Sequence, residues 1–206
     1  MGKIFLIGGG EIIKRETMKI DCNIIREGGG KKARILFFPT AANDSNSYIE
    51  NFIKYFIFLG CNNILWAKLS QEPIKSIKEK MNWATIIYLG GGSTELLIKT
   101  FKKKKIINYL KASLNKGTIL AGMSAGAMAL GKISIISEIE EDLKFGHGFG
   151  LLPKIICLPH YHRKYRNKLL QIKEKFPNKI IFGIPERSAV YFKDKKLKCH
   201  GFCFRL

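Results

Sequence analysis

The stretch Thr118-Ile-Leu-Ala-Gly-Met-Ser-Ala-Gly-Ala-Met128 decides the fold that this sequence predicts. An apolar strand runs directly into Gly122-Met-Ser-Ala-Gly126, and helix-forming residues follow. This is the pattern of a nucleophile elbow, in which a serine on a sharp strand-to-helix turn points its hydroxyl out from the carboxyl edge of a sheet. Glycines two positions to either side leave room for the crowded backbone. Because small residues at such turns also serve packing alone, these five residues do not establish a catalytic serine.

Strands and helices alternate regularly on the amino-terminal side of this turn. Apolar runs at 3–7, 34–38, 63–67 and 85–89 are typical of buried strands, and segments with helical periodicity or high charge separate them, among them 46–59, 72–81 and 94–114. This alternation predicts an α/β fold with a doubly wound, mostly parallel sheet and helices on both faces, as in flavodoxin-like proteins. The 206 residues fit a single domain spanning 1–206.

The loops at the ends of the predicted strands are rich in glycine and small residues. They are Gly8-Gly-Gly-Glu11, Pro39-Thr-Ala-Ala42 and Gly90-Gly-Gly-Ser-Thr94, and the elbow of Ser124 is the fourth. In open parallel sheets, ligands gather where the strands end. Three such loops around one serine make a functional site at this edge a much better supported prediction than the elbow alone.

A serine hydroxyl becomes a good nucleophile when a base takes its proton, and the base is usually an imidazole held by a carboxylate. His160 is the preferred base, because it follows the apolar strand predicted at 154–158 and so lies at the sheet edge. His162 is a competitor at the start of a basic helix. His147 lies in a glycine-rich loop and His200 lies near the terminus.

The carboxylate that would orient the imidazole is sought among the acids behind the short strand predicted at 133–136. The candidates are Glu138, Glu140, Glu141 and, less favoured, Asp142. Glu138 is preferred because it comes first after the strand and would stay near the edge.

An oxyanion hole needs two N–H donors beside the nucleophile. Ala125, the residue after the serine, supplies one by the geometry of the elbow, where the following helix also presents its positive end. Gly91 is the preferred source of the second donor, with Gly90 and Gly92 as alternatives.

Composition bounds the class of protein. With 46% apolar and 25% charged residues and no apolar run of about 18 residues, the chain is typical of a soluble globular protein with no membrane partner. Five scattered cysteines indicate reduced thiols and a cytoplasmic location. Cys199 and Cys203 beside His200 form only a weak metal pattern, so we expect no metal.

The formal net charge of +20 is the most unusual bulk property. Lysines are spread through most segments, and the one dense run, Lys102-Lys-Lys-Lys105, is interpreted as a solvated helix face. This distribution argues against a nucleic-acid partner. The charge would nevertheless draw small acidic substrates towards a cleft.

Six motifs in order resemble those of the dipeptidase E and cyanophycinase family of serine peptidases, whose fold is similar to that of class I glutamine amidotransferases. The motifs are Gly8-Gly-Gly-Glu11, Gly91-Gly-Ser-Thr94, Gly122-Met-Ser-Ala-Gly-Ala127, Gly148-Phe-Gly-Leu-Leu152, Pro159-His-Tyr161 and Pro185-Glu186. The resemblance spans nearly the whole chain. One departure is Ser93, which stands where the family commonly has asparagine.

This resemblance implies Ser124 as nucleophile, His160 as base and an acid about fifteen residues beyond the serine, which points to Glu138 more than to Glu140. It also implies substrate contacts at Thr94 and at Arg163 and Arg166, which could grip a substrate carboxylate. The segment after His160 is shorter than in dipeptidase E, so the arginines could equally be solvent-facing members of a basic helix.

The resemblance further implies hydrolysis of small peptides with an N-terminal aspartate, without a cofactor. Leu158-Pro159 occupies the place of Asp-Gln in cyanophycinases, so a dipeptidase is favoured over a cyanophycinase-like or other acidic-peptide hydrolase. A non-catalytic binding protein on the same fold is the alternative from another class, and a homodimer is compatible with the sequence.

Overall fold

The computed structural model describes residues 2–137, 139–193 and 196–206. The strands are β1 (Ile4–Ile7), β2 (Arg34–Phe38), β3 (Asn63–Trp66), β4 (Ile86–Leu89), β5 (Ile119–Met123), β6 (Ile133–Ile135), β7 (Phe145–His147), β8 (Ile155–Leu158), β9 (Ile180–Gly183), β10 (Ala189–Lys193), β11 (Lys196–His200) and β12 (Phe204–Arg205). The α-helices are α1 (Met18–Glu27), α2 (Asn46–Phe58), α3 (Ile74–Trp83), α4 (Thr94–Lys103), α5 (Ile107–Asn115), α6 (Ala125–Ala129) and α7 (Arg166–Lys175).

The central sheet has seven strands in the order β11-β10-β1-β5-β4-β2-β3. Strands β1, β5, β4, β2 and β3 are parallel, and the hairpin of β10 and β11 joins the edge of β1 in antiparallel orientation. The predicted α/β class with a mostly parallel sheet is therefore confirmed. Two smaller sheets, β12-β9-β8 and β6-β7, lie outside the central one.

Helices cover both faces of the central sheet because its strands bury side chains in both directions. On one face, Leu36 and Leu89 pack with residues of α3, α4 and α5 such as Phe101. On the other face, Phe37 and Tyr88 pack with residues of α1 and α2. Neighbouring residues of one strand thus enter different cores, as the two-residue period of a strand requires.

The helical segment predicted at 94–114 is two helices, α4 and α5. The chain turns between them at Lys105, which has a φ of 55°, and the N–H of Ile106 donates to the carbonyl of Phe101. This left-handed termination turns the fully buried Ile106 into the core. In the part of the chain that is described, no helix is long and apolar enough to cross a membrane.

A carboxyl group is buried beneath the sheet at Asp21 on α1. Its oxygens accept hydrogen bonds from the hydroxyls of Thr17 at 2.6 Å, Tyr55 at 2.8 Å and Tyr88 at 3.2 Å. Complete burial nevertheless dominates and raises the pKa of Asp21 from 3.8 to about 6. The stability that the protonated carboxyl contributes is fully present below the pKa that Asp21 has in the unfolded chain. It is lost as the pH rises through about 6.

We predict that the free energy of unfolding falls with rising pH more steeply in the native chain than in Asp21→Asn, which cannot ionise there. Between pH 4 and pH 7 the difference in unfolding free energy between the native chain and the variant should change by up to roughly 3 kcal/mol, since one unit of pKa corresponds to about 1.4 kcal/mol. Urea denaturation at both pH values measures it, with the exposed Glu50→Gln as control. Parallel curves for the native chain and Asp21→Asn would contradict the prediction.

Candidate active site

Ser124 lies at the turn between β5 and α6 in a strained backbone conformation, with φ of 51° and ψ of −109°. Its N–H donates to the carbonyl of Ile7 at 2.9 Å, which ties the turn to the neighbouring strand β1. A Cβ on Gly122 would lie 2.5 Å from the backbone of Gly126, and one on Gly126 would lie 2.4 Å from the carbonyl oxygen of Leu89. Both glycines are therefore needed for the close approach that the elbow requires.

His160 directs its imidazole at this serine. Its Nε2 lies 2.8 Å from Ser124 Oγ, and its Nδ1 lies 3.1 Å from Glu186 Oε1. In the neutral tautomer that donates from Nδ1 to the carboxylate, Nε2 is free to accept the serine proton. The three side chains thus form the continuous nucleophile, base and acid arrangement of a serine hydrolase.

The loop at Gly9 makes room for this imidazole. A Cβ on Gly9 would lie 2.4 Å from the ring of His160. The carbonyl of the preceding Gly8 accepts the N–H of His160 at 2.8 Å, and the carbonyl of Gly9 accepts the N–H of Arg187 at 3.0 Å. The first glycine loop therefore holds the base and the segment that carries the acid.

Glu186, which contacts His160, is not among the acids predicted from the sequence. The predicted acid, Glu138, lies outside the described residues. Its alternative Glu140 accepts a hydrogen bond from the hydroxyl of Tyr165 at 2.7 Å, which lowers the pKa of this exposed carboxyl. The available signal for Glu186 was its place in the Pro185-Glu186 motif, immediately after a predicted strand.

The amides around Ser124 differ in their availability as oxyanion donors. The N–H of Gly91, the preferred donor in the sequence analysis, lies beside Ser124 but donates to the hydroxyl of Tyr48 at 3.2 Å. Burial raises the pKa of this tyrosine to about 12, so its hydroxyl stays neutral. Within the described ranges, the N–H groups of Ala125 and Gly92 donate to no other residue. Gly92, the alternative donor, also lines the cavity of Ser124.

The predicted substrate residues lie in different places. Thr94, the buried first residue of α4, lines the cavity of Ser124 and follows Ser93, whose hydroxyl caps the helix. Arg163 and Arg166 instead line a separate cavity of about 470 Å³ with Leu169 and neighbouring apolar residues. The arginines are therefore not grouped with the serine.

Besides the cavity of Ser124, His160 borders another cavity of about 480 Å³, which opens on the other side of its imidazole. It is lined by His162, Lys164, Glu186 and Arg187. Since the side chains of His160 and Glu186 are 41% and 55% exposed, the hydrogen-bonded pair is open to solvent and to small substrates. No group of three metal-ligating side chains occurs among the described residues.

A strained serine on a strand-to-helix turn, bonded to an imidazole that a carboxylate holds, is the arrangement found in the class of serine hydrolases. The chain belongs to Peptidase family S51, whose profile matches residues 4–200. Curated relatives named cyanophycinase and peptidase E confirm the resemblance that the sequence motifs indicated.

Individual relatives are distant. The chain is 29% identical over 156 residues to the uncharacterized peptidase YgaJ of Bacillus subtilis, with 75% of this chain and 66% of that protein covered. It is 23% identical over 185 residues to a cyanophycinase of Geminocystis herdmanii, with 84% and 68% covered. The crystal structure of a peptidase from an acI-B1 Actinobacterium superposes with a TM-score of 0.77 at 22% identity, covering 98% of this chain and 88% of that one. The last match shows the shared fold.

We predict that the acid function resides at Glu186. Glu186→Gln should slow the reaction of Ser124 with a fluorophosphonate probe by at least about 100-fold, because an amide does not hold the imidazole in the required tautomer or stabilise its charged form. Glu138→Gln and Glu140→Gln, measured in parallel, should stay within about threefold of the native chain. A loss confined to Glu138→Gln would assign the acid to that residue instead.

Proposed function

We propose that this protein is a serine peptidase that hydrolyses short peptides through an acyl-enzyme on Ser124. The observation that carries the proposal is the unbroken path of hydrogen bonds from Ser124 through His160 to Glu186. Family membership supports peptide hydrolysis, and the path supports serine as the nucleophile.

The geometry accounts for both halves of the reaction. His160 Nε2 takes the proton of Ser124 Oγ as the oxygen attacks the peptide carbonyl, and the N–H groups of Ala125 and Gly92 stabilise the resulting oxyanion. The imidazolium then protonates the leaving amine. A water molecule, activated by the same imidazole, releases the acyl group and restores the serine.

The finer proposal is a short peptide that carries negative charge, for which the family resemblance implies an N-terminal aspartate. Its support is electrostatic. Lys164 and Arg187 line the open cavity beside His160, and the net charge of +20 attracts anions over longer distances. Arg187 also pairs with Glu16, so Lys164 is the cation of this cavity that has no ion-pair partner among the described residues.

We also propose a cytoplasmic location for the protein. A cytoplasmic location is supported by cysteines at 22, 61, 157, 199 and 203 that are all free thiols. We propose a homodimer as the assembly compatible with the chain, without metal or cofactor in the reaction.

The proposed nucleophile is tested with Ser124→Ala. The native chain should react with a fluorophosphonate probe and cleave members of a dipeptide panel, and both activities should fall by at least about 1000-fold in the variant, with the circular dichroism spectrum unchanged. An unreactive native chain that cleaves no peptide would contradict the proposal. Nucleic-acid binding with a steep salt dependence would then support the non-catalytic alternative.

A further inference from the structure

The cavity that contains Ser124 has an apolar wall. Six of its lining residues carry hydrocarbon or thioether side chains, namely Met128, Ile135, Ile136, Ile139, Leu158 and Pro159. Ile135 and Leu158 are each only 1% exposed and belong to the packed core behind the wall. The wall is therefore held in place by packing and cannot easily turn a polar group inward.

The polar residues of this cavity carry no positive charge. Gly92, Ser93, Thr94 and Ser137 complete its lining beside the catalytic pair. The hydroxyl of Ser93 accepts the N–H of Leu96 at 3.2 Å, and that of Ser137 accepts the N–H of Lys144 at 3.1 Å. Throughout the described part of the chain, no lysine or arginine lines the cavity.

The small size of the cavity adds to this restriction. Its volume is about 80 Å³, far below the approximately 480 Å³ of the open cavity beside His160. A carboxylate in so small a cavity would lose much of its hydration and would meet hydroxyl groups but no lysine or arginine, which is unfavourable. A branched hydrocarbon group would instead gain from burial.

The position of the cavity relates it to the acyl half of the substrate. The acyl group stays bonded to Ser124 Oγ, and its carbonyl oxygen points at the oxyanion donors, of which Gly92 lines this cavity. The leaving amine must face His160 Nε2 to receive its proton. The cation-lined cavity contains neither Ser124 nor Gly92, and Glu186 in its lining contacts the opposite ring atom, Nδ1, of His160.

We infer that the cavity at Ser124 binds the side chain of the residue whose carbonyl is attacked, and that this side chain is uncharged and aliphatic, of about the size of valine or leucine. The inference rests on the proposed serine peptidase function and departs from an N-terminal aspartate. Lys164 and Arg187 line the other cavity and would not contact this side chain.

The test is kcat/KM for a panel of dipeptides that share leucine as the leaving residue. Leu-Leu, Asn-Leu and Asp-Leu are compared because the three first side chains have similar shapes and differ in polarity and charge. Val-Leu and Ala-Leu vary the size. The kcat/KM values for Leu-Leu and Val-Leu should exceed the value for Asp-Leu by at least about 10-fold, and the value for Ala-Leu should lie between those of Val-Leu and Asp-Leu.

A charge introduced into the wall gives the second arm of the test. Ile139 is partly buried, so Ile139→Arg places a guanidinium at the cavity without opening the core. The ratio of kcat/KM for Asp-Leu over Leu-Leu should rise by at least about 10-fold. Ile13→Arg, at an isoleucine that is 73% exposed and outside this cavity, adds the same charge and should leave the ratio unchanged.

The outcomes separate this inference from the proposed function. A preference of the native chain for Asp-Leu would overturn the aliphatic cavity and leave the serine peptidase standing. An equal rise of the ratio in both arginine variants would also overturn it, since the effect would then come from net charge. A native chain that neither cleaves the panel nor reacts with the fluorophosphonate probe would refute the proposed function itself.

Discussion

The site depends on one backbone constraint, the left-handed conformation of Ser124 between β5 and α6. A non-glycine residue held there costs on the order of 1–3 kcal/mol, and surrounding structure must compensate. That structure is the fully buried strand β5, fixed to β1 through the N–H of Ser124, and the contact of Gly122 with Gly126. A larger residue at either glycine would displace the first turn of α6 and with it the oxyanion donor at Ala125.

The proposed base and the proposed acid come from a different sheet. Strands β8 and β9 are parallel neighbours, with Leu158 paired to Gly183, and both end at the same edge. His160 follows the first strand by two residues and Glu186 follows the second by three, so strand pairing brings them together. His160 also adopts a positive φ of 50°, a second strained residue in the site. The central sheet thus supplies the nucleophile, and the smaller sheet supplies the proton-transfer pair.

The surroundings of the catalytic pair are chemically unequal. On the serine side the walls are aliphatic and belong to the core behind β6 and β8, whereas on the far side of the imidazole they are charged and open to solvent. Positively charged side chains are therefore present at the site, but they line the cavity that does not contain the proposed oxyanion donors. Overall charge predicts attraction of an anion; it does not predict which half of a substrate carries that anion.

The sequence alone determined the α/β class and the strand-to-helix turn at Ser124, and it led to His160 as the proposed base, because strand periodicity, glycine spacing and the end of an apolar strand are local signals. It did not determine the acid. The acids after β6 are close to the elbow along the chain, whereas the contact of Glu186 with His160 follows from the pairing of β8 with β9. In the same way, only the tertiary structure showed that the hydroxyl of Tyr48 accepts a hydrogen bond from the N–H of Gly91. It also showed that Arg163 and Arg166 line another cavity. Such contacts join residues far apart in sequence, and no local pattern records them.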